Sequence, residues 1–360
     1  MQIRLTTPWW AWGWPGLGIA VLSAYALLGG SALLAIVAGG ALIATVFAAV
    51  YHAEVVAHYV GEPFGTLILA IAVTVIEVAL IVSIMIAAPE AKSGLARDTV
   101  FAAVMIVCNG IVGLSLLSGG VRHRVQGFQL EGASAALAVL AALTSLTMIL
   151  PNYTISAPGP MLSSVQLAFA GFVSLALYGS YVFVQTVRHR DYFLPVEVDA
   201  IGRAAPPLSS RTSAVSLLLL IVALAVVVGL AKALTPSVES ALAAVNAPDG
   251  TAGIAIALLV LMPEGLAALR AAKANRLQTS LNLSLGSALA SIGLTIPTVA
   301  VVSIAFGYPL QLGLAPKEQV LLALTLVLGI ITLGTGRTTV LQGIVHLVVF
   351  ATFLFFAMVP

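Results

Sequence analysis

Two glutamates in this chain stand where an ionised carboxylate is costly. Of its thirteen acidic residues, eleven fall in polar connections or at the ends of apolar runs, and Glu77 and Glu264 do not. Glu77 lies about eleven residues, or roughly 16 Å along a helix, from either end of its run. At the centre of a bilayer an ionised side chain costs at least about 2.5–3.5 kcal/mol, so such a carboxylate must be protonated, paired or bound to a cation. No Lys or Arg occurs at comparable depth to pair with it. Two carboxylates with nearby carbonyls and hydroxyls would make an oxygen-only site, suited to Ca²⁺ or Na⁺ and not to thiolate-seeking metals. Desolvation and mutual repulsion make such carboxylates hold protons more tightly, and a bound cation displaces those protons. A single buried glutamate could be a protonated packing residue bonded to a neighbouring helix. A pair, one in each half of the chain, points instead to protons and cations competing for one site. Glu264 is flanked by Pro263 and Gly265. Proline removes a backbone donor, so a broken helix with freed carbonyls is expected there.

The elements that must hold these residues are membrane helices. Hydrophobic residues make up 61% of the 360 and charged ones only 8%, against roughly a quarter charged in soluble domains. A spanning helix needs about 20 apolar residues. About eleven such runs occur, near 14–30, 32–52, 65–88, 99–120, 132–151, 162–187, 213–235, 252–272, 280–304, 318–336 and 340–359. Gly29, Gly30 and Ser31 divide the first two, because one helix of the combined length would far exceed the membrane thickness. With the N-terminus in the cytoplasm and the C-terminus outside, only Lys92, Arg97, Lys232 and Lys317 of the fifteen basic residues face outward, in keeping with the positive-inside bias. The expected fold is all-α and polytopic, with an N-terminal helix (1–31), a first five-helix repeat (32–187), a cytoplasmic linker (188–212) and a second five-helix repeat (213–360). An odd-numbered repeat places its second copy upside down in the membrane.

Other features narrow the function. The net charge of +2, with basic residues in short clusters between runs, argues against nucleic acid as a partner. The partners expected are the lipid bilayer and inorganic cations, and nothing calls for a resident cofactor. Cys108 is the single cysteine, which excludes an intrachain disulfide. Trp9, Trp10, Trp12 and Trp14 are not the build of a cleaved signal peptide and either anchor the first helix at the headgroups or pack on the protein's flank. Between the second and third runs His52, Glu54, His58 and Glu62 gather without Lys or Arg. A negative cytoplasmic mouth there would concentrate cations, and its histidines would titrate near neutrality.

The stretches around the two glutamates resemble the signature motifs of the calcium/proton exchangers within the calcium:cation antiporter superfamily, nearest to their bacterial sodium/calcium–proton antiporters. Gly61-Glu62-Pro63-Phe64-Gly65-Thr66 through Glu77 is similar to the first motif. Pro263-Glu264-Gly265 through Asn275-Arg276-Leu277-Gln278 and Gly286-Ser287-Ala288-Leu289-Ala290 is similar to the second. The resemblance implies cation binding on Glu77 and Glu264, with Ser287 and Asn109 beside them, and Glu54 matches an acid at the end of the preceding helix. Asn275, Asn282 and Ser284 are further polar candidates near the second motif. The commoner motif carries a Gly-Asn pair before each glutamate, where this chain has Val73-Thr74 and Val260-Leu261, and a glutamine where it has Ala290. Losing those amide oxygens leaves room for Na⁺ or K⁺ beside Ca²⁺, and the Thr74 hydroxyl is a substitute ligand.

The function implied is exchange of a cytoplasmic cation, Ca²⁺ first with Na⁺ or K⁺ open, for protons by alternating access in a bacterial inner membrane. The rival is a membrane-embedded enzyme using both glutamates as acid and base or as metal ligands. His346, in the last run, reads as a packing residue. A passive channel would need a continuous polar lining, and the runs are too uniformly apolar for one.

Overall fold

The computed structural model describes residues 8–61, 64–90, 92–194, 209–244, 248 and 250–359. Among them eleven helices are long and apolar enough to cross a bilayer. In chain order these are α1 (Trp9–Leu28), α2 (Ala32–Val60), α3 (Phe64–Ala87), α4 (Leu95–His123) and α5 (Leu130–Tyr153). They continue as α6 (Ser164–Arg188), α7 (Ser210–Ala244), α8 (Thr251–Lys273), α9 (Leu277–Phe306), α10 (Pro316–Leu333) and α11 (Val340–Met358). Local chemistry sets the breaks. Gly29 takes φ 76° after α1, and the Ser31 hydroxyl then accepts from the Leu34 amide to cap α2. Gly61, at φ 80°, ends α2. Ser163 and Gln166 form a reciprocal capping box at the start of α6.

The helices pack as two compact units. One contains α1, α2, α3 as far as Ile84, and α7. Here α1 lies against both α2 and α7 because Gly18 leaves no side chain in the way. A Cβ at that position would fall 2.6 Å from Val226 and 2.8 Å from the Thr45 hydroxyl. Trp10 lies tilted against Trp14 with ring centroids 4.7 Å apart and meets Tyr51 of α2 edge-on at 5.1 Å, whereas Trp9 and Trp12 are exposed. The tryptophans are thus inside the first turns of α1, two packing and two pointing outward.

The second unit holds α4, α5, α6 and α8 to α11. Its centre is α9, which packs on α4, α5, α6 and α8. A two-residue ribbon ties its loops, with β1 (Gln126–Gly127) antiparallel to β2 (Arg337–Thr338). Among the described residues three helices carry a widened π turn: Ile106–Ile111 in α4, Ser145–Ile149 in α5 and Val184–Arg188 in α6.

Two expectations are corrected. Helix α8 runs unbroken from Thr251 to Lys273 with Pro263 inside it, so the break expected beside Glu264 is absent. Membrane helices tolerate a proline when neighbours and small local adjustments re-satisfy the freed groups. The run expected to stop at 52 continues as helix to Val60, because a helix satisfies its own backbone on either side of the membrane boundary. His52, Glu54 and His58 therefore belong to the last turns of α2 rather than to a loop. Glu62 lies outside the described residues, as does most of the 188–212 linker.

Candidate functional site

Glu77 is 2% exposed in the middle of α3. Thr74, one turn earlier on the same face, is equally buried and donates its hydroxyl proton to the Ala70 carbonyl at 2.8 Å. The helix starts close against α2: a Cβ at Gly65 would come within 2.6 Å of the Ala57 carbonyl oxygen. Glycine at that motif position is thus a packing requirement.

Glu264 is 4% exposed in α8, within the second unit. The Ser287 hydroxyl of α9 donates to its Oε2 in a short hydrogen bond. Val260 and Leu261, at the positions of the missing amide pair, are buried beside it on the chain. Gly265 faces α4, where Ile111 would lie 3.1 Å from an added Cβ. The turn that carries Glu264 is therefore seated on the π turn of α4. Tyr178 of α6 is also buried, packed against Gly293 of α9. Along α9 the buried hydroxyls Ser280, Ser284, Ser287, Ser291 and Thr295 recur at helical spacing.

Asn109 sits within the π turn of α4 and is fully buried. Widened turns of this kind recur at functional positions because they displace the backbone from its regular ladder. Its Nδ2 donates to the Thr325 hydroxyl of α10 at 2.8 Å, and its Oδ1 lies 3.1 Å from Nδ1 of His346 on α11. The other ring nitrogen of His346 lies 3.1 Å from the Thr332 hydroxyl. His346 therefore packs with both ring nitrogens hydrogen-bonded. Sequence reading missed it because its partner is 237 residues away.

The remaining candidates separate. His52 is fully buried, with Nε2 2.9 Å from the Ala11 carbonyl, so it joins α2 to α1 and does not line a solvated mouth. Glu54 and His58 are exposed, one turn apart at the end of α2. Asn275 adopts φ 61° in the turn after α8 and accepts from Gln126 at 3.0 Å. Asn282 accepts from Gln278 at 2.9 Å and donates to the Phe193 carbonyl at 2.6 Å, and Ser284 bonds to the Ser280 carbonyl. Those three hold loops and backbone together.

Comparison with known proteins bears on what this arrangement does. A family model described as sodium/calcium exchanger protein matches residues 30–187 and 215–359. A protein of Sinorhizobium fredii, y4hA, provisionally named an ionic transporter, is 49% identical over all of this chain and 99% of its own. The sodium-potassium/proton antiporter ChaA of Escherichia coli is 37% identical over 87% of this chain and 85% of its own. Among solved structures, that of the H⁺/Ca²⁺ exchanger CAX matches 96% of this chain and 87% of its own with a TM-score of 0.74 at 14% identity, a likeness of fold.

Proposed function

The chain belongs to the sodium/calcium exchanger protein family, and from that premise we propose that it expels a cytoplasmic cation in exchange for entering protons, the ion being carried on Glu77 and Glu264. As a member of that family it is an integral membrane cation antiporter and not an enzyme. The observation that carries the finer reading is the pairing of Glu264 with Ser287 deep inside a membrane helix. A carboxylate oxygen and a hydroxyl there offer a cation two oxygen ligands, and in its absence the carboxylate has little water to stabilise its charge.

Alternating access follows from that cost. Empty and ionised, these buried carboxylates are too unfavourable to pass through a closed intermediate, whereas protonated or cation-bound ones are not. Each turnover therefore trades protons for cation. The distribution of basic residues supports a cytoplasmic N-terminus and an external C-terminus, and both named relatives are bacterial, which supports an inner-membrane location. Two inverted five-helix repeats, 32–187 and 213–360, fit the tight glycine that starts each glutamate helix, Gly65 in α3 and Gly253 in α8.

For the ion itself, the inventory of oxygens favours Na⁺ or K⁺ over Ca²⁺. Calcium takes six to eight oxygen ligands. Leu261 and Ala290 supply no side-chain oxygen where the commoner motif has asparagine and glutamine, whereas the Thr74 hydroxyl, its proton given to the Ala70 carbonyl, keeps lone pairs for a cation. The relative ChaA carries sodium and potassium in its name, which supports the same order.

The test is reconstitution in liposomes with an imposed pH gradient. Na⁺, K⁺ and Ca²⁺ are added separately to wild type, Glu77→Gln and Glu264→Gln. Collapse of the gradient by Na⁺ or K⁺ at lower concentration than by Ca²⁺, lost in both variants, is expected. A folded wild type that answers to no cation would sink the exchange reading.

A further inference from the structure

Six hydroxyls lie along one face of α9. Ser280, Ser284, Ser287, Ser291, Thr295 and Thr298 follow one another at intervals of three or four residues. At about 100° per residue they fall within an arc of about 80°. Ser287 fixes where that face points, because its hydroxyl donates to Glu264 of the neighbouring helix α8. Ser280 lies about 10 Å from Ser287, towards the end of α9 that follows Arg276, and Thr295 about 12 Å the other way. On the Glu264 face of α8 the residues one and two turns away are Ala268 and Ala271 on one side, Val260 and Ala257 on the other, and all four are buried.

A hydroxyl inside a helix ordinarily returns its proton to the carbonyl one turn back. Ser284 and Thr298 do so, to the Ser280 and Leu294 carbonyls at 2.8 Å. Ser280 and Thr295 do not. Among the described residues neither of their hydroxyls meets a hydrogen-bond partner, although Ser280 is 1% and Thr295 0% exposed. A buried hydroxyl without a partner is destabilising, and alanine or valine would fill the same space without that cost. Packing therefore gives no reason for an oxygen at these two positions. An ion in transit gives one, because it needs neutral oxygens at short intervals to stand in for its hydration shell.

We propose that this face of α9 is the route by which cation and protons reach Glu264, with Ser280 and Ser284 serving the cytoplasmic half and Ser291, Thr295 and Thr298 the outer half. This rests on the exchange reading above. Ser284 and Thr298 have given their protons to the helix and keep lone pairs for a passing cation. Ser280 and Thr295 keep both a proton and lone pairs, so each can accept one proton while passing on another. Alternating access requires the two halves to open one at a time, with the Glu264–Ser287 pair between them.

The test reads accessibility and rate separately. In a Cys108→Ala background, which removes the single native thiol, Ser280→Cys, Thr295→Cys and Leu289→Cys are made in the full chain. Leu289 is buried on the opposite face of α9, between the other two, and serves as the control. Ag⁺, a thiol-reactive monovalent cation, is added to membrane vesicles of either orientation during exchange. The protein is then denatured, and thiols that took no silver are alkylated and counted by mass spectrometry. Silver should protect Ser280→Cys from the cytoplasmic face, Thr295→Cys from the outer face, and Leu289→Cys from neither. With Cys108 in place, Ser280→Ala and Thr295→Val should each lower the maximal exchange rate by roughly tenfold, the worth of one ordinary hydrogen bond, without lowering the thermal midpoint. A raised midpoint with an unchanged rate would mark the two hydroxyls as flaws of packing and overturn the proposal. Silver reaching Leu289→Cys as readily as the other two, or none of the three while exchange proceeds, would overturn the route alone. A folded wild type that exchanges nothing would overturn the route together with the exchange reading.

Discussion

Ser287 of α9 donates its hydroxyl proton to Oε2 of Glu264 on α8, joining two helices through a carboxylate that is 4% exposed. Hydrogen bonds to a charged group are worth about 1.5–3 kcal/mol, more than most in a protein. Replacing Ser287 by Ala removes both a donor to the carboxylate and a potential ligand to the ion. Apparent cation affinity in the liposome assay should fall by roughly ten- to a hundredfold. Ser287→Thr keeps the hydroxyl and should lose much less. Equal affinities in Ser287→Ala and wild type would remove Ser287 from the site.

Exchange should depend on both buried carboxylates. Glu77→Gln and Glu264→Gln preserve size and hydrogen-bonding capacity but neither can release a proton. Each should reduce cation-driven proton movement to the level of empty liposomes while the protein stays monodisperse. Full activity in either variant would show that the residue in question is one of packing.

The seam between α4 and α11 should be intolerant of volume. Gly343→Ala drives a methyl into the backbone of α4, and overpacking of that kind costs about 1–3 kcal/mol. Gly179→Ala is the control, since Gly179 on α6 has nothing within 4 Å of its added carbon. Thermal unfolding in detergent should show a lower midpoint for the first and no loss for the second.

Asn282 should matter to stability and not to the ion. Its amide links Gln278 to the Phe193 carbonyl, and Gln278 in turn accepts from the Gln129 amide at 2.6 Å. Removing it by Asn282→Ala should cost about 1–3 kcal/mol in unfolding and leave KM unaltered. A change in ion preference instead would return Asn282 to the list of ligands.

Glu54 offers a test of the entrance. It is exposed at the end of α2, where one negative charge raises the local cation concentration only over a Debye length, about 8 Å at physiological salt. Glu54→Gln should weaken apparent affinity by roughly two- to threefold at low ionic strength, and the difference should vanish as salt is raised. An effect independent of salt would point to a local structural role.

The sequence by itself determined the membrane class, the number of spans and the placing of two carboxylates inside apolar helices. The reason is physical: a bilayer demands about 20 apolar residues per crossing, and against that background a carboxylate at mid-run stands out by composition. Ser287 was legible too, because it stands in a motif of fixed spacing from Glu264. Only the tertiary structure decided what Pro263 does to α8, because the consequence of a missing backbone donor depends on the packing around it. The same holds for His52, which a list of polar residues puts at a mouth and the contact with Ala11 puts in a helix seam. Most of all it decided the surroundings of His346. A histidine in an apolar run is bland until α11 meets α4 at Gly343 and Gly113, and the hydrogen bond to Asn109 spans 237 residues that no local pattern connects.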